Sequence, residues 1–219
     1  ESRRREPTAY YGRSAGIGLA IANTNSEHKK VGVIGLGAGT LAAYGQTGDY
    51  YRMYEINPQV IDLAMSEFTF MADSRATIET VLGDARLSME REPPQDFDVL
   101  AVDAFSGDSV PVHLITAEAM DVYLRHMKAD GIVAFHVTNR FLWLPPVIEN
   151  IAKAKGLHVA FIHDENDNPL LRNTDWVLVA RNPAVLDLEA IRSRSPPIRG
   201  IPGLGVWTDD FNNLFDVLK

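Results

Sequence analysis

The sequence predicts an α/β fold with a seven-stranded, mostly parallel sheet, a terminal antiparallel hairpin and helices on both faces. Short apolar runs of strand length alternate with helical patterns along most of the chain. A glycine-rich turn directly follows the first of these runs. The last two runs are joined by a polar, turn-rich stretch, and a connection without a helix implies an antiparallel pair. The predicted strands cover residues 31–34, 50–54, 77–82, 97–102, 132–137, 157–162 and 176–180.

The first predicted strand and its loop form the segment VGVIGLGAGT, residues 31–40. The β-branched run ends at Gly35. After it, Gly37 and Gly39 alternate with other small or apolar residues, and the helix-compatible TLAAY follows. Glycines in such a turn allow the backbone to approach a bound ligand closely. This segment therefore predicts a strand, a tight ligand-binding turn and a helix.

Acidic residues follow three further predicted strands. Glu55 comes after the second strand, where a carboxylate can accept both hydroxyls of a ribose. Asp84 and Ala85 follow the third, where a carboxylate can accept a hydrogen bond from an adenine amino group. Asp103 follows the fourth. Because ligands in open α/β sheets bind outside the carboxyl ends of the strands, we expect these residues to share one nucleoside cleft.

Capping signals mark the helices between the strands. Asn57 followed by Pro58 begins one helix, and Asp84 can cap another. Thr116 begins the next, whose apolar face extends to Met127, with Gly131 as its stop signal. A further helix is expected to end at Gly156. The apolar residues expected to face the sheet are Val60, Ile61, Ala64, Met120, Tyr123, Leu124, Met127, Val147, Ile148 and Ile151.

Composition limits the classes of protein and site that the chain can represent. Its 219 residues, 46% of them hydrophobic, suit one domain over 1–219, with an entry segment at 1–30 and a C-terminal loop and helix at 193–219. A net charge of −8 argues against a nucleic-acid partner. The absence of cysteine excludes disulfides and thiolate chemistry. The six histidines lack metal-ligand spacing, so we expect no metal site.

From Tyr10 to Ala180, these motifs resemble the spermidine synthase (aminopropyltransferase) family, which has the Rossmann-like S-adenosylmethionine-dependent methyltransferase fold. The resemblance implies that Glu55 binds ribose, that Asp84 and Ala85 lie on the adenine side, and that Asp103 is the catalytic aspartate. It also assigns the glycine loop to cosubstrate binding through Gly35, Gly37 and Gly39.

The function implied by this resemblance is aminopropyl transfer from decarboxylated S-adenosylmethionine to a small amine, a step of polyamine biosynthesis. Asp103 would bind the amine and help remove its proton. Because the sulfonium is already an activated leaving group, the reaction needs no metal. Candidates for amine binding are Tyr11 at the mouth of the cleft, with Tyr10 and Arg13, and the acids Asp108, Asp209 and Asp210.

Two departures from the family pattern keep other functions open. Ala38 stands where aminopropyltransferases carry an aspartate, and Asp108 lies two positions late for the family's D-x-x-D spacing. A methyltransferase that uses ordinary S-adenosylmethionine is therefore the main alternative, and a noncatalytic nucleoside or polyamine sensor is another. A nicotinamide enzyme fits less well, because Thr40 stands where its third glycine or alanine would be.

Further expectations concern the two ends of the chain. YYGRSAGIGLA resembles the entry segment of fused membrane spermidine synthase-like proteins, and the basic run at 3–5 suggests a fragment. We expect a cytoplasmic domain, with an attached membrane region outside this chain as one arrangement and a homodimer as one assembly. Near the other end, Asp209 and Asp210 can instead cap a last helix, with Trp207 and Phe211 on the core. His136 and Asn139, at the end of the fifth strand, are expected to be structural, with substrate contact as the alternative.

Overall fold

The computed structural model describes residues 4–104 and 111–219 and contains one seven-stranded sheet in the order β3-β2-β1-β4-β5-β7-β6. This arrangement confirms the predicted mostly parallel sheet. Asp108, one of the predicted amine-binding acids, lies outside the described residues. The strands are β1 Lys30–Ile34, β2 Tyr50–Glu55, β3 Thr77–Leu82, β4 Phe97–Val102, β5 Met127–His136, β6 His158–Asp164 and β7 Thr174–Ala180.

The order of the strands creates a crevice beside β1. This strand pairs in parallel with β2 on one side and with β4 on the other. The loops that leave β1 and β4 therefore diverge, which is the position where open α/β sheets bind ligands. At the opposite end of the sheet, β7 pairs antiparallel with both β5 and β6, which confirms the predicted hairpin.

Helices cover both faces of the sheet, as predicted. On one face, α4, α5 and α6 contribute buried side chains to a core built around Phe97, Leu100 and Phe135. On the other, α1, α2 and α7 pack against a second core that contains Tyr51 and Trp176. The helices are α1 Gly16–Ala22, α2 Pro58–Ser66, α3 Phe70–Asp73, α4 Ala85–Arg91, α5 Ala117–Arg125, α6 Pro145–Ala154 and α7 Glu189–Arg192.

Three predicted caps are present at helix N-termini. The side chain of Asn57 accepts a hydrogen bond from the Gln59 amide at 3.0 Å. Asp84 accepts one from the Leu87 amide at 2.9 Å, and Thr116 serves α5 in the same way. Each cap of this kind stabilises its helix by about 1 kcal/mol. The caps also fix where the loops at the sheet edge end.

The segment after the glycine loop is shorter than expected. TLAAY forms a single 3₁₀ turn, Thr40–Tyr44, and the chain becomes extended at Gly45. Gly39 precedes this turn with a φ of 75°, and Gly45 is already extended, so only the five residues between them are helical. The Tyr44 hydroxyl instead donates a hydrogen bond to the Tyr11 carbonyl at 2.6 Å, which ties the turn to the entry segment.

The predicted boundary between α5 and β5 is wrong. The helix ends at Arg125 and the strand begins at Met127, whereas the sequence pattern placed the helix stop at Gly131. The Phe97 amide donates to the His126 carbonyl at 2.7 Å, and Met127 pairs with Phe97 before the register shifts. Pairing with the edge of β4 therefore overrides the helical periodicity of this segment.

The C-terminal segment also differs from the prediction. Within residues 193–219, the expected final helix is replaced by one 3₁₀ turn, Leu214–Val217. Trp207 is buried as predicted, but Phe211 is 58% exposed and does not pack on the core. Asp209 therefore caps no helix and instead contacts Arg86 across the molecule. In the described part of the chain, no helix is both long and apolar enough to cross a membrane.

Candidate functional site

A cavity of about 640 Å³ lies at the carboxyl ends of β1 to β4. Backbone hydrogen bonds hold its floor, because the Gly35 amide donates to Tyr54 and the Asp103 amide donates to Ile34. The side chains after these strands therefore converge, as the strand pattern predicted. The predicted site residues that line the cavity are Tyr11, Gly35, Gly37, Glu55, Asp84, Ala85 and Asp103.

The three loop glycines have positive φ values, but their surroundings differ. At Gly35, φ is 95° and a Cβ would lie 2.4 Å from the Asp103 carbonyl oxygen. At Gly37, φ is 52° and a Cβ would meet no atom within 4 Å. Gly39 begins the 3₁₀ turn, and its Cβ would lie 2.8 Å from the Met71 side chain. Gly35 thus allows two strands to approach, whereas Gly37 leaves space at the cavity.

Glu55 holds the glycine loop in place. One of its carboxylate oxygens accepts a hydrogen bond from the Leu36 amide at 3.1 Å, and the other accepts one from the Asn57 amide at 2.9 Å. Each oxygen of a carboxylate can accept a second hydrogen bond. Glu55 can therefore shape the loop and still accept ligand hydroxyls at the cavity wall.

Asp84 is anchored on both sides where β3 gives way to α4. One oxygen caps the helix through the Leu87 amide, and the other lies 2.9 Å from Nε2 of His113. His113 also lines the cavity, although no motif in the sequence points to it. The adjacent Ala85 is buried and contributes a small apolar wall. This corner therefore combines a fixed carboxylate with an apolar surface.

Asp103 is held by two side chains from different parts of the molecule. The Tyr11 hydroxyl donates to its Oδ2 at 2.6 Å, and Nδ1 of His136 lies 2.6 Å from its Oδ1. The side chains of Asp103 and His136 are each 5% exposed. Burial, and then the charge of Asp103, raise the pKa of Tyr11 well above 10.0. Tyr11 is therefore a protonated donor at neutral pH.

His136 reaches Asp103 because their strands are neighbours. Val102 pairs with Phe135 across β4 and β5, which places the next residue of each strand at the same end of the sheet. The strand order was the missing information, since sequence alone identified two strand ends without showing that they are adjacent. The ring stacks on Trp176 at 4.6 Å between centroids, and its Nε2 lies 2.8 Å from the Thr138 hydroxyl.

Other residues of the entry segment and the β5 end have separate positions. Tyr10 lines the cavity, with its ring 5.2 Å from that of His136. Arg13 instead pairs with Glu6 and lies over Tyr44, outside this cavity. Asn139 lines the cavity while its side-chain oxygen accepts the Phe141 and Leu142 amides. The mouth is thus formed by Tyr10 and Tyr11, without Arg13.

The predicted acids near the C-terminus lie apart from the main cavity. Both oxygens of Asp209 accept hydrogen bonds from Arg86, at 2.7 and 2.6 Å, in a neighbouring groove. These hydrogen bonds hold the pKa of Asp209 below 3.8. Asp210 lines neither this groove nor the main cavity. A role for either residue in amine binding stays a prediction.

Three carboxylates line the cavity, together with the guanidinium of Arg140. Glu55, Asp84 and Asp103 come from three different strand ends, and each is already anchored by N–H or O–H donors. Such an arrangement suits a ligand with hydroxyls, an amino group and a positive charge. Over residues 4–104 and 111–219, no three His, Asp or Glu side chains converge in a way that could hold a metal ion.

Two curated proteins show sequence similarity to part of the chain, while no family model matches it. A polyamine aminopropyltransferase of Vibrio vulnificus (strain CMCP6) is 28% identical over 124 residues, 53% of this chain and 39% of that protein. An N-terminal histidine N-methyltransferase of Emericella nidulans is 30% identical over 122 residues, 55% of this chain and 21% of that protein. The chain thus matches less than half the length of either relative.

Solved structures share the fold. Human methyltransferase-like protein 13 in complex with SAH has a TM-score of 0.60 and 16% identity, covering 85% of this chain and 94% of that one. The spermidine synthase of Thermotoga maritima has a TM-score of 0.54 and 16% identity, covering 83% and 64%. A spermidine synthase in complex with the transition state analogue AdoDATO has a TM-score of 0.57. These likenesses confirm the Rossmann-like methyltransferase fold.

Proposed function

We propose that this spermidine synthase-like chain is a transferase that moves an aminopropyl group from decarboxylated S-adenosylmethionine to a small amine. The observation that carries the proposal is the Asp103 carboxylate, fixed by Tyr11 beside a cavity that also contains the glycine loop and Glu55. A buried carboxylate at such a position is costly unless it is paired or serves a ligand. The similarity of this chain to the Vibrio vulnificus aminopropyltransferase also supports this function.

The nucleoside half of the cosubstrate fits the side of the cavity formed by β1, β2 and β3. The free lone pairs of Glu55 can accept ribose hydroxyls, and Gly37 lets the cosubstrate approach the loop backbone. Asp84 can accept a hydrogen bond from the adenine amino group while it caps α4. The sulfonium end would then lie toward Asp103 and Tyr11, which line the same cavity.

The chemistry requires an uncharged amine next to the carbon that it attacks. The amine lone pair forms the new N–C bond as the C–S bond breaks, and the C–S electron pair leaves with sulfur as a neutral thioether. The nitrogen loses one proton, which Asp103 accepts at Oδ2. The Tyr11 hydroxyl donates to that same oxygen, which holds the carboxylate in one orientation toward the acceptor.

Methyl transfer from ordinary S-adenosylmethionine is the second candidate. Ala38 supports it, because the glycine loop lacks the additional acid that would repel the carboxylate of the ordinary cosubstrate. The similarity to the Emericella nidulans methyltransferase points the same way. The two candidates share the nucleoside site and differ in the group that leaves the sulfonium. Their nucleoside products therefore distinguish them.

Asp103→Asn tests the role of the carboxylate in either reaction. Because the amide cannot accept the proton, we expect turnover to fall about 10³-fold, whereas the affinity for methylthioadenosine should change by less than about twofold. Initial rates and calorimetric binding would measure the two effects. Asp62→Asn, on the exposed surface of α2, is the matched control. Full activity in Asp103→Asn would remove Asp103 from the mechanism.

A further inference from the structure

We infer that His136 is a positioning residue for the reaction, whose imidazole fixes the Asp103 carboxylate in the orientation that receives the acceptor's proton. This inference rests on the proposed function, since it assigns His136 to the same transfer step. His136 acts through Asp103, because its Nδ1 is 2.6 Å from Oδ1 of that residue. It is therefore distinct from the catalytic carboxylate itself.

The hydrogen bonds around the ring select one tautomer. An ionised carboxylate only accepts hydrogen bonds, so Nδ1 must carry a proton to bind Asp103. In a neutral ring of this tautomer Nε2 accepts, and the hydroxyls of Thr138 and Thr174 lie 2.8 and 3.2 Å from it. The Thr138 oxygen already accepts the Asp175 amide at 2.8 Å, which leaves its own proton available for donation. Both ring nitrogens therefore have hydrogen-bond partners when Nδ1 carries the proton that binds Asp103.

Packing keeps the ring from rotating away from Asp103. The imidazole lies nearly parallel to the buried indole of Trp176, with an angle of 10° between the ring planes. Tyr10 contacts the ring as well, and the Trp176 indole N–H donates to the Tyr10 carbonyl at 3.3 Å. Ring, indole and entry segment thus support one another. A residue locked in this way can hold its hydrogen-bond partner within narrow limits.

The two carboxylate oxygens of Asp103 therefore have different hydrogen-bond partners. Oδ1 is directed toward His136, and Oδ2 is directed toward Tyr11, which lines the cavity. Without the imidazole N–H, the carboxylate could rotate about its χ2 bond, which has a broad energy profile. Small errors in the position of a catalytic group can reduce turnover strongly. The loss of His136 should therefore affect the rate of transfer more than the binding of either substrate.

Two variants separate the hydrogen bond from simple packing. His136→Phe keeps an aromatic ring against Trp176 but removes the N–H group, and we expect kcat to fall about 10- to 100-fold with KM for both substrates within about twofold. In His136→Asn the side-chain amide can occupy the Nδ1 position, so kcat should recover to within about fivefold of wild type. A His136→Phe enzyme with wild-type kcat would overturn the inference. Equal loss in both variants would also overturn it.

A measurement that needs no turnover keeps this inference separate from the proposed function. Imidazole ¹⁵N chemical shifts in wild-type protein should show that Nδ1 of His136 carries a proton at neutral pH. A ring protonated at Nε2 alone would contradict the positioning role whether or not the protein is active. If the predicted tautomer is found but no acceptor is consumed, the proposed transfer fails and the hydrogen bond to Asp103 still stands.

Discussion

At the scale of the residue, the three carboxylates at this cavity each have a structural contact as well as a place in the cavity wall. Glu55 supports the glycine loop, Asp84 caps α4, and Asp103 holds Tyr11. Carboxylates are suited to this double use, because each oxygen can accept two hydrogen bonds. Substitutions at these positions should therefore affect both folding and binding, in proportions that depend on which hydrogen bonds each substitution removes.

Glu55→Gln tests this double role. A glutamine has one acceptor oxygen, so either the Leu36 or the Asn57 amide loses its partner. We expect the free energy of unfolding to fall by about 1–3 kcal/mol and the affinity for methylthioadenosine to fall at least about tenfold. Denaturant unfolding and calorimetry would measure the two quantities. Glu67→Gln, on an exposed position just after α2, should leave both unchanged. Wild-type affinity in Glu55→Gln would exclude ribose binding by this residue.

The sequence predicted the residues at strand ends better than their partners. Glu55, Asp84 and Asp103 are identifiable because each follows an apolar run of strand length. No pattern singles out His113, and His136 is predicted to be structural with substrate contact as the alternative, although both contact these acids. Their contacts depend on which strands and loops are adjacent in space, and that information is absent from local patterns. Asp209 was instead predicted to bind the amine, but it pairs with Arg86, 123 residues away in the sequence, outside the main cavity.

At the scale of the element, the glycine loop can be divided into a position that serves folding and a position that serves binding. Gly35→Ala places a methyl group 2.4 Å from a backbone oxygen at φ 95°, so we expect a loss of about 2–4 kcal/mol in unfolding free energy. Gly37→Ala meets no protein atom and should cost only about 1–2 kcal/mol.

Binding should show the opposite order for the protein that remains folded. The methyl group of Gly37→Ala would occupy space at the cavity lining, and we expect nucleoside affinity to fall at least about tenfold. Thermal unfolding and equilibrium binding of methylthioadenosine would measure both effects for each variant. If Gly37→Ala binds the nucleoside as tightly as wild type does, the loop is a structural turn and the cosubstrate lies elsewhere.

The junction of α5 and β5 should make stability depend on pH. His126 is buried, its Nε2–H donates to the Met89 carbonyl at 2.8 Å, and its Nδ1 has no hydrogen-bond partner in the described structure. Burial lowers the pKa of His126 below 6.5. As pH falls through about 6.5, the unfolded chain binds a proton that the folded chain does not, so the free energy of unfolding decreases.

His126→Gln isolates this contribution, because its amide can still donate to Met89 but does not titrate. Between pH 7.5 and 5, we expect the wild type to lose about 1 kcal/mol more stability than the variant. Urea unfolding at both pH values gives the change in unfolding free energy for each protein. The other histidines contribute equally to both proteins, so their effects cancel in the comparison. A variant with the same pH dependence as wild type would show that His126 is equally protonated in both states.

Whether a segment forms a helix or a strand was easier to predict than the residues at which it begins and ends. The bounds of β3 and β4 agree with the apolar runs, because turn residues flank both runs. The end of α5 was misplaced, since the helical pattern of its apolar residues continues into Met127 while the backbone has already paired with β4. Pairing of Met127 with β4 sets this boundary, and the local sequence pattern does not predict that pairing.

At the scale of the whole molecule, the fold and the position of the cavity follow from strand order. β1 lies between β2 and β4, and the two cores on either face of the sheet fix the helices that frame the crevice. The alternation of strands and helices made this architecture predictable. The shape of the acceptor side was not predictable, because it depends on the entry segment folding back over Asp103 through Tyr11, a contact across 92 residues.

The most direct test of the account is identification of the nucleoside product by mass spectrometry. Purified protein would be incubated separately with decarboxylated and ordinary S-adenosylmethionine, each with a pool of diamines and polyamines. We expect methylthioadenosine and a matching aminopropylated amine from the decarboxylated cosubstrate, at a rate that Asp103→Asn reduces about 10³-fold. S-adenosylhomocysteine with a methylated acceptor from the ordinary cosubstrate alone would instead assign methyl transfer. Binding of either nucleoside without any product would contradict the proposal that the chain is a transferase acting on these amines.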